Sequence, residues 1–156
     1  MNKLEIGNKK NALIILCGPP ASGKSTWGKK FAAENNVVYV STDTIRAEIG
    51  SGEEDQTVSA AAFGIARNRV RSALSDGKSV MIDATSVNRK ARRGWVGLGR
   101  EHEAYIVAVA FEVPKVELLR RDAERDRHVG PEIIGRFLNK YETPNTTEGI
   151  DKVVIK

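Results

Sequence analysis

The sequence predicts a three-layer α/β domain around a central parallel sheet, and two observations carry that expectation. Short apolar runs recur without the alternation of a one-sided sheet, and stretches with helical spacing separate them. Strands buried on both faces need helices above and below, and regular exchange of strand for helix with right-handed crossovers supplies them. Ligands of such folds bind at the carboxyl ends of the strands.

Ala12 to Cys17 (ALIILC) is the first run, Val37 to Val40 a weaker one, Val80 to Ile82 a third ending before Asp83, and Tyr105 to Phe111 a fourth. The closing DKVVIK reads as a last strand. Lys24 to Asn35 reads as a helix after a Gly-rich turn, and Thr57 to Ser75 places Val58, Ala62, Ile65, Ala66, Val70 and Ala73 mostly three or four apart. Arg89 to Glu103 and Pro114 to Arg127 also read as helices, and Pro131 opens another before Ile133, Ile134, Phe137 and Leu138.

A chain of 156 residues, 40% hydrophobic and 29% charged, can bury a core and is neither collagen-like nor wholly disordered. Residues 1–11 read as a polar tail without the features of a signal peptide, and residues 12–156 as one domain. No run is long enough to span a membrane, so a cytoplasmic protein is expected. One cysteine, Cys17, excludes an internal disulfide and reads as core filler, while His102 and His128 lack ligand spacing. The net charge of +5 favours a phosphorylated or polyanionic partner.

Directly after the first run stands Gly18-Pro19-Pro20-Ala21-Ser22-Gly23-Lys24-Ser25, then Thr26, a complete phosphate-binding loop. Glycines let the backbone fold around phosphate, successive N–H groups point inward, and the next helix presents its positive end. Gly18, Ala21, Ser22, Gly23, Lys24, Ser25 and Thr26 are thus expected to bind ATP, with Lys24 on the β- and γ-phosphates and Ser25 on Mg²⁺.

Phosphoryl transfer also needs an acceptor side. In Ser41-Thr42-Asp43-Thr44-Ile45-Arg46, Asp43 falls at a strand's carboxyl end, where a fixed carboxylate can take the proton of an attacking hydroxyl. Arg46 shares its face if a helix begins there; the plainer alternative is a capping aspartate and a solvated arginine. Asp83 ends the run VMID, an arrangement that holds Mg²⁺ or orients an arginine. Farther on, ELLRRDAERDRHVGPE places Arg121 and Arg125 four apart, and so on one helical face, before a Gly130-Pro131 hinge. Arginines on such a flap can close over a triphosphate; local ion pairs on a solvated helix are the alternative.

GPPASGKSTW, STDTIR, VMIDATSVN with RKARR, the segment from Arg120 to Arg127 and GPEIIGRFLNKYE together resemble the kinase module of bacteriophage polynucleotide kinase-phosphatase and its P-loop kinase relatives. The resemblance runs from Ala12 to Tyr141 and implies a P-loop NTPase/kinase domain with an arginine-bearing lid, acting as a 5′-hydroxyl polynucleotide kinase. It implies that Asp43 is the general base, that Arg46 contacts the acceptor's phosphate, that Asp83 organises the acceptor pocket, and that Arg121 and Arg125 engage ATP. The comparison protein continues into a phosphatase domain, so 3′-end processing is expected of another protein. The same branch also resembles kinases of small molecules or of a modified base.

Arg67 with Arg71, and the cluster Arg89, Lys90, Arg92 and Arg93, are further basic patches able to track phosphates, or else solvated helix faces. Trp27, Phe31, Phe63, Phe111 and Phe137 read as core, which leaves Tyr39, Trp95, Tyr105 and Tyr141 as candidates for base stacking. The expected activity is direct transfer from ATP to a hydroxyl, catalysed by Asp43, Lys24 and Arg125, with the 5′ end of RNA or DNA as acceptor. A small-molecule acceptor and an ATP-driven switch are the alternatives.

Overall fold

The computed structural model describes residues 11–156, so the expected polar tail lies outside the described residues apart from Asn11. Five strands, β1 (Ala12–Cys17), β2 (Val38–Ser41), β3 (Val80–Asp83), β4 (Tyr105–Ala110) and β5 (Lys152–Ile155), form one sheet in the order β2-β3-β1-β4-β5. All four pairings are parallel. Six α-helices, α1 (Lys24–Asn35), α2 (Thr42–Ile49), α3 (Ser59–Ser75), α4 (Arg89–Glu101), α5 (Lys115–Ala123) and α6 (Pro131–Lys140), connect them with two short 3-10 turns.

The apolar run of β1 is unbroken because the strand is covered on both sides: every one of its residues is inaccessible to solvent. Leu13, Ile15 and Cys17 point into one core with Ala62, Ala66 and Val70 of α3 and Trp95 of α4. Ile14 and Leu16 point into the other, with Phe31 and Ala32 of α1 and Phe111. A Cβ at Gly28 would lie 2.7 Å from Leu16 Cδ1, and one at Gly99 would lie 2.8 Å from Ile106 Cδ1, so glycine sets the close approach of α1 and α4 to opposite faces of the sheet.

Two helices stop earlier than their sequence suggests. α4 ends at Glu101 because Glu103 turns left-handed and Ala104 N–H returns to Gly99 O at 2.9 Å. α5 ends at Ala123, not Arg127, because the buried Asp122 carboxylate accepts Val129 N–H at 3.0 Å and Gly130 N–H at 2.9 Å, folding 124–130 back. Arg121 and Arg125 therefore do not share a helical face.

The basic cluster also divides. Arg92 is wholly buried: Nε and Nη2 donate to the two carboxylate oxygens of Glu148 at 2.9 and 3.0 Å, and Nη1 donates to Ser86 O at 2.9 Å. It cannot track a strand's phosphates. Arg89 is bound to Thr147, while Lys90 and Arg93 face solvent. Trp95 is buried beside Phe63, their ring centroids 6.3 Å apart, which removes it as a stacking platform. Among the described residues no helix is long and apolar enough to cross a membrane.

Candidate active site

The phosphate loop sits at the carboxyl end of β1, where the sheet order reverses and neighbouring crossovers diverge. Gly18 (φ +156°) and Gly23 (φ +87°) adopt backbone that a side chain would strain, and a Cβ on Gly18 would lie 3.0 Å from Ser22 Oγ. Ala21 is also left-handed, with φ 68°. Gly23 opens α1 with no side-chain cap and no acid in the first turn, so the helix's leading N–H groups and its positive end are left for an external anion. Ser22 Oγ is buried without a hydrogen-bond partner.

Asp83 lies beneath the loop, 4% exposed. Ser25 Oγ donates to its Oδ2 at 2.6 Å, Tyr39 OH donates to the same oxygen, and Lys24 Nζ stands 3.6 Å from Oδ1. Burial, and then the hydrogen bond to Asp83, push the Tyr39 phenol upward and keep it a neutral donor. The partners of Asp83 are thus two residues of the loop and Tyr39 of β2, and no bond links it to Arg46 among the described residues. Tyr39 engages this carboxylate, and Tyr141 donates to Glu112 at 2.7 Å.

Across the cavity, α2 begins directly at the end of β2. Ser41 Oγ accepts Thr44 N–H at 3.2 Å and is the cap, which frees Asp43 from that duty. Asp43 is half exposed and paired with Arg46, whose Nε donates to Glu53 O at 2.7 Å. Arg121 crosses from α5 to the loop, donating from Nη1 to Ser22 O at 3.3 Å and from Nε to Glu117 at 3.0 Å. Arg125 lies 3.6 Å from Asp122, and its buried Nη1 has no hydrogen-bond partner. Arg127 spans to Glu53 and Glu54, 3.0 Å from each.

One cavity of about 980 Å³ collects these groups: residues 19–26 of the loop, Asp43 and Arg46, Asp83, and the lid arginines Arg121, Arg125 and Arg127. Gly18 lies just behind its wall, its N–H 3.4 Å from Thr85 O. Phe63 and Phe137, which read as core, are only half buried and line the same space. Sequence reasoning missed the roles of Tyr39, Glu53, Glu54 and Asp122. Only the acidic half of the charge-dense segment signalled Asp122, and Tyr39 was marked as a candidate for base stacking, not as a partner of Asp83. The arrangement can hold a polyphosphate on amides and cations and present a carboxylate to a second molecule.

A family model described as an AAA domain matches residues 13–144. The chain is 32% identical to the L-seryl-tRNA(Sec) kinase of Methanococcus maripaludis, over 86% of this chain and 54% of that protein. It is 25% identical to a bifunctional polynucleotide phosphatase/kinase of Acanthamoeba polyphaga mimivirus, over 93% of this chain and 33% of that protein. It therefore spans about half the length of the first relative and a third of the second. A chain of the Pnkp1/Rnl/Hen1 RNA repair complex has the same fold, with TM-score 0.75 and 24% identity over 89% of this chain and 46% of that one. With the loop, the parallel sheet and this match in agreement, the chain belongs to the AAA_33 family of AAA domains and has the fold of a nucleotide-binding P-loop kinase.

Proposed function

We propose that this chain transfers the γ-phosphoryl group of ATP to a hydroxyl, and that the hydroxyl is the 5′ end of a polynucleotide. The observation that carries the reading is the Asp43–Arg46 pair facing the Lys24–Ser25 loop across one cavity. The names of both relatives point to an acceptor that contains nucleic acid, seryl-tRNA in one and a polynucleotide in the other.

The acceptor oxygen attacks the γ-phosphorus as Asp43 accepts its proton, and the bond to the β–γ bridging oxygen breaks, leaving ADP with that electron pair. No side chain becomes covalently attached. Lys24 and Arg125 neutralise charge on the migrating group, Arg121 holds the donor's phosphates against the loop, and Arg46 fixes a phosphate of the acceptor. The hard oxygen donors of Ser25 and Asp83, 2.6 Å apart beside the loop, fit Mg²⁺, which supplies further charge neutralisation when bound. ATP as donor suits a cytoplasmic reaction.

Incubation with γ-labelled ATP and a panel of 5′-hydroxyl oligonucleotides, nucleosides and small alcohols tests the proposal. Label at oligonucleotide 5′ ends is expected. Label confined to a small alcohol would reject the polynucleotide, and label found only in free phosphate would reject transfer altogether.

A further inference from the structure

Positive charge is distributed unevenly over the helices. α3 and α4, which share one face of the sheet, carry eight lysine and arginine side chains and a single acid, Glu101, an excess greater than the +5 of the whole chain. α1, α5 and α6 mix signs instead, with Glu34, Glu117, Asp122 and Glu132 among their basic residues. Four of the eight cations are engaged: Arg92 with Glu148, Arg69 with Glu48, Arg100 with Asp151 and Arg89 with Thr147. The other four, Arg67, Arg71, Lys90 and Arg93, are exposed and have no acidic partner among the described residues.

Three glycines on the same two helices leave open space beside them. Lys90 lies three and four residues before Arg93 and Gly94, and Gly97 four and three after them, which puts all four on the outer side of α4, and a Cβ at Gly94 or Gly97 would meet nothing within 4 Å. Gly64 of α3 is equally open. Glycine is unfavourable inside a helix, and neither packing nor positive φ requires it at these positions. The missing side chains leave strips of helix against which a polymer backbone can lie.

This face continues from the cavity. Ser59 and Phe63 of α3 line the cavity wall, and Arg67 and Arg71 follow Phe63 by one and two helical turns. It also lacks apolar anchors: the exposed large hydrophobics, Ile49, Val116 and Ile155, all lie on other elements. Protein interfaces and membrane-surface helices are built around such anchors, whereas phosphate backbones are held by charge.

We infer that the α3–α4 face is a docking surface for the phosphate backbone of a polynucleotide whose 5′ end enters the cavity. The inference rests on the polynucleotide reading above and adds the path of the strand. Contacts to phosphate carry no base information, so this surface confers preference for length and charge, not for sequence.

The test uses the full chain, a 20-nucleotide single strand whose 5′ end is already phosphorylated, and the charge reversals Lys90→Glu/Arg93→Glu and Arg67→Glu/Arg71→Glu. Each pair is expected to weaken binding at least about tenfold and to lower the slope of log affinity against log salt by about 1.4, at about 0.7 per lost phosphate contact. With 5′-hydroxyl acceptors, kcat/KM is expected to fall for a 20-mer and to hold for a dinucleotide too short to reach the face. The neutral pair Lys90→Gln/Arg93→Gln, with an unchanged melting temperature, separates lost contact from lost folding. Equal losses for 20-mer and dinucleotide, or unchanged binding, would overturn the surface. So would variants that lose phosphatidylserine vesicles or a polyglutamate peptide but keep the strand. If no polynucleotide accepts label while the blocked strand binds through these four cations, the proposed activity falls and the surface stands; if label transfers and the variants are indifferent, the reverse holds.

Discussion

The phosphate loop and the lid that faces it across the cavity are held by different means. Residues 18–25 grow out of a strand with no exposed residue and into a helix seated against the sheet at Gly28. Behind them, the wholly buried Arg92 braces Ser86, whose neighbour Thr85 contacts Gly18. The lid, by contrast, is tied across the cavity mouth by the exposed pairs of Arg127 with Glu53 and Glu54, while Arg121 is held within α5 by its partly exposed pair with Glu117. Exposed pairs are worth about 0.2–1 kcal/mol apiece, whereas removing one partner of a buried pair costs about 3–5 kcal/mol. The platform of the phosphate loop is thus fixed by the interior, and the lid's exposed carboxylate pairs can be exchanged at small cost.

The strongest challenge to this division is chemical. Asp43 faces the loop across the cavity and is joined through Arg46 to Glu53, a partner of the lid, without contributing to either core. Asp43→Asn is expected to lower kcat by about 10²–10⁴-fold with the affinity for ATP largely kept, measured by steady-state kinetics beside calorimetric titration. Equal losses in both would remove the base role. Next comes the brace: Arg92→Leu leaves Glu148 buried without its cation and is expected to cost about 3–5 kcal/mol in urea unfolding. A cost below about 1 kcal/mol would mean that the platform is not held from behind.

Acid offers a graded version of the same test. Burial pushes the Asp122 carboxyl up, but bonds from Val129 and Gly130 N–H and the charges of Arg125 and His128 hold it below its ordinary 3.8. Burial opposes Arg92 and the Asn145 N–H in the same way at Glu148, with a net lowering. The unfolded chain therefore binds protons first as pH falls, so both contributions are complete above the ordinary carboxyl values and are lost as pH drops through the lowered ones. The urea midpoint is expected to hold from pH 7 to about 5 and to fall below about pH 4. Asp122→Asn is expected to flatten part of that fall while loosening residues 124–130, read as faster amide exchange at Val129 and Gly130. Smallest of all, Arg127→Ala is expected to change global stability by less than about 1 kcal/mol, and the difference is expected to shrink with added salt. A larger or salt-independent loss would make the lid part of the frame.

This contrast also explains what the sequence disclosed. The phosphate loop was legible because backbone physics demands glycines at set positions, and β1 because two-sided burial demands an unbroken apolar run. Asp43 was legible because a strand end followed by a helix start is a short-range pattern. The end of α5 was not, because it depends on Asp122 reaching seven and eight residues ahead to backbone N–H groups that any sequence offers. Arg92 read as one of four surface cations because its partner, Glu148, lies 56 residues away. Phe63 and Phe137 passed for interior because aromatic residues at helical spacing look alike whether they face a core or a cavity wall.

All five strands point the same way, so among the described residues β2, β3 and β4 are entered through short turns at the end of the sheet away from the cavity. Gly77, at φ +75° with open space around it, marks one of them, between α3 and β3. A reporter dye or a short peptide insertion there would ride on the rear of the molecule, an optical handle for testing the proposed docking of a strand without touching the α3–α4 face or the cavity.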